Sequence, residues 1–324
     1  MNKRILLSNP TTHTPHFTTH TSSLTNGIMA INKPAGISSA HVVSRVKKAL
    51  GVKKIGHTGT LDPFATGLLL CAINKATRIS QFFLDGHKKY LARVCLGKET
   101  DTYDLTGKTV FTASNDVMDT LGKEDIEQAI KTFVGVQEQV PPAFSALKHK
   151  GQPLYKLARQ GKKIIKPPRQ IEIFSLKIKQ IKFPCLDLEV FCSSGTYVRS
   201  LAFDIGRKLG CGAHLSKLCR IQSSAFKLKN AIELSELEAL DKYAAIKRVI
   251  PMSDCLGFMP EIVVDTFLMG KIKFGQKLST KDMDPPVSEP GKDIKIVDDN
   301  NELLAIVQMD ENRQEYNYSC VFLT

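Results

Sequence analysis

Residues 56–67 read Gly56-His57-Thr58-Gly59-Thr60-Leu61-Asp62-Pro63-Phe64-Ala65-Thr66-Gly67, a single carboxylate among three glycines, three threonines and a histidine. An aspartate has an ordinary pKa of about 3.9, so near neutral pH it is already an anion and can act as nucleophile or base without an activating partner. Pro63 disfavours the right-handed helical region for Asp62 and pushes it towards extended backbone. Gly56, Gly59 and Gly67 can take positive φ or let another segment approach closely. An apolar run, 68–73, follows at once. The stretch reads as a shaped loop that presents a carboxylate and feeds a buried element. Taken alone, Asp-Pro also reads as a plain turn with the glycines serving it, so partners elsewhere must decide.

One partner is suggested by Arg199. It follows Ser193-Ser194-Gly195-Thr196-Tyr197-Val198 and begins a helix with Leu201, Ala202, Ile205 and Leu209 inward and Gly210 at its end. A cation in a first helical turn opposes the helix dipole, so this arginine calls for an anion beside it. A second feature is residues 146–169, with Lys148, Lys150, Lys156, Arg159, Lys162, Lys163, Lys166 and Arg169 but no acid, and with Tyr155 among them. A solvated lysine face normally carries acids as well, so this reads as a basic arm that contacts RNA or DNA.

Other clusters offer less. His13, His16 and His20 lack a nearby thiol or carboxylate and do not make a metal site. Glu99, Asp101 and Asp104 lack the ligand spacing of a calcium loop, and residues 97–107 read as a polar turn. Eight scattered cysteines without a CxxC pair suggest neither zinc nor a dense disulfide framework, and read as reduced, buried thiols of a cytosolic protein.

The elements that must hold these groups follow from periodicity. Residues 28–32 predict a strand, and Ser38 or Ser39 caps a helix with Val42, Val43, Val46 and Leu50 inward, ended by Gly51. Alternation predicts strands at 89–97, 171–183 and 186–192, and helical spacing predicts a helix at 123–134. Residues 210–220 read as a connection, 223–228 as a strand and 235–250 as one helix. Residues 251–260 suggest a boundary before a small β-rich unit, and residues 1–25, rich in Thr, Ser, His and Pro, read as a disordered tail.

The chain has 324 residues, 42% of them hydrophobic, with a formal net charge of +13. That size allows one large and one smaller domain, and the charge favours a polyanionic partner. No apolar run approaches the ~20 residues that span a bilayer, and the N-terminus lacks a signal-peptide apolar core.

The 56–67 loop, Lys33-Pro34-Ala35-Gly36-Ile37-Ser38-Ser39, Lys89-Tyr90, Pro141-Pro142-Ala143-Phe144-Ser145-Ala146-Leu147-Lys148 and Ser193-Ser194-Gly195-Thr196-Tyr197-Val198-Arg199 together resemble, in order, the motifs of the bacterial TruB family of tRNA pseudouridine synthases. The resemblance covers 26 to about 255. It implies an α+β pseudouridine synthase fold, with a central mixed, mainly antiparallel sheet flanked by helices over 26–255 and a small β-rich PUA-like domain over 256–324. It implies isomerisation of the T-loop uridine of tRNA without cofactor or metal, by a cytoplasmic monomer with no obligatory protein partner. Asp62 matches the family's catalytic aspartate, Tyr90 its active-site tyrosine and Arg199 the arginine paired with the aspartate. His57 resembles the histidine that fills the space left by the flipped base. Lys33 is a candidate phosphate or loop contact, Tyr197 a packing group below the base and Leu218 an apolar wall. For these last two, core packing is an open alternative. Lys148, Arg159 and Arg220 are candidate RNA contacts. Thr60 stands where Ala is frequent in the family, and Cys219 where a second Arg is frequent, which puts one RNA contact in doubt. The alternatives are a guide-RNA-dependent synthase and a non-catalytic module that binds or folds tRNA.

Overall fold

A computed structural model describes residues 25–282, 291–310, 312 and 314–323. The N-terminal tail, apart from Thr25, and the acidic stretch after Asp282 lie outside the described residues. The main body is built on an eleven-stranded sheet. Its strands include β1 (Gly27–Lys33), β2 (Ile55–His57), β3 (Thr66–Ile73), β4 (Lys88–Leu96), β5 (Gly135–Gln139), β6 (Arg169–Lys182), β7 (Cys185–Cys192) and β8 (Ala213–Ser223). The spatial order runs from the short strand Ile232–Glu233 through β1, β3, β8, β4, β7, β6 to β5. β3 runs parallel to β8, and β1 to Ile232–Glu233, while the other pairs along this path are antiparallel.

The two halves of this sheet are buried differently, and the sequence pattern follows from that. β1 and β3 have apolar clusters on both faces. Met29, Ile31, Leu69 and Cys71 face Val42, Val46 and Leu50 of helix α1 (Ser39–Leu50). Ile28, Ala30, Leu68 and Leu70 face Phe83, Met252 and Leu256. A strand covered on both sides needs a continuous apolar run, which explains 68–73. β4 and β7 alternate because helix α2 (Val198–Lys208) covers one face only, packing Val198, Leu201 and Ile205 on Val94, Leu186 and Leu188.

Helix α1 starts where the capping signal predicts. The Ser38 hydroxyl accepts from the backbone N–H of His41, and Gly51 closes the helix at φ 62°. Residues 210–220 do not form a connection: β8 crosses the middle of the sheet between β3 and β4. Register shifts between Leu215 and Lys217, and again between Arg220 and Gln222, break its two-residue period, so Ala213, Leu215, Leu218 and Arg220 are all buried where strict alternation would expose half of them. Residues 235–250 form two short helices, Leu234–Ala239 and Lys242–Ile246, the second capped by Asp241. The expectation of eight reduced thiols is also corrected. Cys95 and Cys185, directly opposed on β4 and β7, form a disulfide, and the other six cysteines are free.

A second sheet has the order Glu261–Val263, Asp293–Val297, Leu303–Asp310, Glu315–Val321, Leu278–Ser279. Helix Thr266–Lys273, which alternation did not predict, covers one of its faces through Leu268 and Ile272. Val297, Leu303, Ile306 and Phe322 join the cluster beneath β1 and β3. Among the described residues no helix is long and apolar enough to cross a membrane.

Candidate active site

Asp62 lies between β2 and β3 in a loop gripped from both sides. On one side the buried Lys33 ammonium, at the end of β1, donates to the carbonyls of Pro34 (2.9 Å), Pro63 (3.1 Å) and Ala65 (2.6 Å). The Ser39 hydroxyl accepts from Leu61 N–H (2.8 Å) and donates to Leu61 O (2.9 Å), and Gly36 N–H donates to Pro63 O (2.8 Å). On the other side Arg220 donates to Leu68 O (2.7 Å) and Gly59 O (3.1 Å). Gly67 makes this possible: its φ is +100°, and a Cβ there would lie 2.4 Å from the carbonyl oxygen of Arg220. A side chain at that point would push β3 away from β8.

The carboxylate meets Arg199 on the first turn of α2. Nη2 donates to Asp62 Oδ1 at 3.0 Å, and Nε lies 2.8 Å from Oδ2. The guanidinium is 4% exposed and the Asp62 side chain 30% exposed, so the pair opens to solvent on the aspartate side. Arg199 Nη1 also donates to Thr102 O (3.1 Å) and Asp104 Oδ2 (3.4 Å), and Nη2 to Phe144 O (2.8 Å). Asp104 is held in turn through Oδ1, which accepts from both hydroxyls and one N–H of Thr102 and Thr106. Burial pushes the Asp62 carboxyl above the ordinary range, Arg199 pulls it back, and the nearby Asp104 charge pushes it up again.

Tyr90 on β4 is 8% exposed and opposes Arg220 of β8 in register. It shares an apolar cluster with Leu61, Ala65 and Leu218. Burial raises its phenol, and the neighbouring Arg220 charge works against that. His57, at the end of β2, is half-buried. Burial and then Arg220 lower its pKa, which favours the neutral ring. Tyr197 is the residue before α2, with the Arg169 guanidinium 4.6 Å from its ring centre. Lys148 and Arg159 stand apart on the exposed arm, which folds as a two-residue hairpin (Lys148–His149 with Gln152–Pro153) and a short helix (Leu154–Arg159).

Two candidate contacts take other positions. Lys33 is 0% exposed and Arg220 2% exposed, so neither offers its charge to a phosphate. Both brace the Asp62 loop from inside, and burial lowers the Lys33 ammonium to about 8. Asp104 was missed. It reads as one acid of a polar turn until the fold sets Arg199 against it, and its local signature is only an Asx turn onto Thr106. Ser39 reads as a cap, yet its hydroxyl clamps Leu61 while Ser38 does the capping.

Residues 47–198 match the model of the TruB family pseudouridylate synthase N-terminal domain, and 199–256 that of the tRNA pseudouridylate synthase B C-terminal domain. Similar proteins named tRNA pseudouridine synthase B include one from Alkaliphilus oremlandii, 40% identical over 293 residues, 90% of this chain and 96% of that protein. One from Syntrophotalea carbinolica is 42% identical over 239 residues, 74% of this chain and 77% of the other. Among solved structures, an H/ACA RNP bound to a substrate RNA containing 2'-deoxyuridine shares the fold, with a TM-score of 0.68 at 24% identity, covering 93% of this chain and 86% of that one. From these matches and the architecture they share, the chain belongs to the TruB family of pseudouridylate synthases.

Proposed function

We propose that this protein converts the T-loop uridine of tRNA, conventional position 55, to pseudouridine, with Asp62 as the nucleophile. The observation that carries the reading is the buried Arg199 guanidinium set on the partly exposed Asp62 carboxylate. The reaction breaks the bond from ribose C1' to uracil N1, joins C1' to C5, releases the C5 proton and protonates N1. Atoms and electrons balance within the uridine, so no redox partner is needed. A transient bond from the carboxylate to the sugar or the base divides the exchange into easier steps. Arg199 holds the carboxylate ionised and aimed, because a charge-assisted fork fixes orientation as well as charge.

The uridine must leave its stack to reach Asp62, at a cost of a few kcal/mol. In this reading neutral His57 fills the gap, and Tyr90, Leu218 and Tyr197 bound the flipped base. Lys148 and Arg159 grip the RNA backbone from the arm. The protein acts alone in the cytoplasm, and its 40% identity to a tRNA pseudouridine synthase B over 90% of the chain supports a free-standing tRNA enzyme over a guided one.

The test is release of tritium from an unmodified tRNA transcript labelled at uracil C5, with the product mapped to its position. Release is expected from the wild type and none from Asp62→Asn. Arg199→Lys should lose most turnover, since an ammonium does not reproduce the fork. Salt-sensitive RNA binding without release in the wild type would point to a binding module instead.

A further inference from the structure

Arg199 is aimed from the first turn of α2, yet that helix starts without a side-chain cap of its own. The residue before it, Tyr197, is held by a side chain from the far edge of the sheet. Gln139, the last residue of edge strand β5, is 3% exposed. Its Oε1 accepts from Tyr197 N–H at 2.8 Å, and its Nε2 donates to Tyr197 O at 3.1 Å. A backbone N–H only donates and a carbonyl only accepts, so one orientation of the amide satisfies both. The carboxamide stands in for a neighbouring strand, and Tyr197 O also takes the first helical bond, from Leu201 N–H.

The residues after Gln139 extend the grip. Val140 O accepts from the Ser200 hydroxyl (2.8 Å), and Phe144 O accepts from Arg199 itself (2.8 Å). Arg169, opposite Gln139 in register on β6, lies against the Tyr197 ring. The first turn of α2 is therefore tied at residues 197, 199 and 200 to residues 139–144, and the basic arm begins two residues later. A glutamine does this because its carboxamide sets a donating NH2 and an accepting oxygen side by side at the required reach. Glutamate keeps only the acceptor, methionine neither, and asparagine is a methylene short.

We propose that Gln139 is a positioning residue for the isomerisation: it sets the first turn of α2 so that the Arg199 fork meets Asp62. It touches neither the base nor the RNA, and acts through Tyr197 and Arg199. The proposal rests on the reading of Asp62 and Arg199 as the catalytic pair. A displacement of about 1 Å in a catalytic group can cost on the order of 100-fold in rate, which sets the scale expected.

The experiment compares full-length wild type, Gln139→Met and Gln139→Glu. It measures single-turnover tritium release at saturating tRNA transcript, transcript affinity, melting temperature and the pH profile of the rate. Gln139→Met should slow release about 10- to 100-fold with affinity changed less than about twofold, and Gln139→Glu should fall between it and wild type. The acid limb should also move to higher pH. The charged groups that face Asp62 are Arg199, Asp104 and Lys33, with the Tyr90 phenol nearby, and loosening Arg199 removes the largest charge holding the carboxyl down. A lower melting temperature with rate and acid limb unchanged would make Gln139 a structural residue only and overturn the proposal. Weaker binding with an unchanged rate at saturation would assign it to the arm and overturn it too. If Gln139→Met does not fold, Ser200→Ala, which frees Val140 O, carries the same expectation in milder form. Asp62→Asn and Arg199→Lys serve as controls: if they release tritium normally, the underlying reading of the pair fails; if they are dead while the Gln139 variants run at wild-type rate, this inference alone fails.

Discussion

At the scale of single residues, the chemistry depends on how one guanidinium is shared. Arg199 faces Asp62 through Nε and Nη2 and Asp104 through Nη1. Two carboxylates hold one buried cation, and only the Asp62 side opens to solvent. Asp104→Asn keeps the shape but removes the second anion, leaving Arg199 free to shift. Single-turnover tritium release should then fall by about 100-fold, the scale of a misplaced catalytic group, while transcript affinity is held. The same geometry sets a pH dependence. In the proposed mechanism Asp62 attacks as the carboxylate, and its pKa is raised by burial, so activity should disappear as pH falls through a value above about 3.9.

At the scale of elements, the Asp62 loop is braced by buried groups. The Lys33 ammonium satisfies three carbonyls at once. Lys33→Met would take this donor from all three, leaving Pro63 O only its bond from Gly36 N–H, and each buried acceptor left unpaired costs about 1–3 kcal/mol. Urea denaturation should show a loss of at least that size, with reduced turnover in the folded fraction. Gly67→Ala should be worse tolerated than an ordinary loop substitution. The new methyl would meet the Arg220 carbonyl at 2.4 Å in backbone at φ +100°, so it should cost more than ~1 kcal/mol and lower the melting temperature. The glycines of this loop were legible in the sequence as positions needing special backbone. That Gly67 lets β3 lie beside β8 was not, because β8 itself was invisible: its bulges break the alternation that marks a strand.

At the scale of the whole molecule, charge is unevenly spread. Residues 256–324 carry twelve Asp or Glu against seven Lys or Arg, so the excess of +13 comes from the rest of the chain. On the arm, Lys148, Lys150, Lys156, Arg159, Lys162 and Lys163 are exposed. RNA affinity should therefore fall steeply with salt. Replacing Lys162 and Lys163 together by Ala should reduce the slope of log affinity against log salt by about 1 for each phosphate that is no longer neutralised, with the rate at saturation little changed. Filter binding across a salt series measures this.

The sequence by itself determined what depends on neighbours along the chain. It placed helix α1 between Ser38 and Gly51, the alternation of β4 and β7, the Gly-lined loop around Asp62, and the acid-free arm. It also marked Arg199 as a cation in need of an anion, because a first-turn arginine is at odds with its own helix. Only the tertiary structure decided which groups meet. Asp62, Asp104 and Arg199 are separated by 42 and 95 residues along the chain, yet one guanidinium contacts both carboxylates. In sequence Lys33 reads as a phosphate or loop contact and Arg220 as an RNA contact, and burial makes both braces of the loop. A charge's role is set by the groups around it and by whether water reaches it, and those depend on strands brought together from opposite ends of the chain.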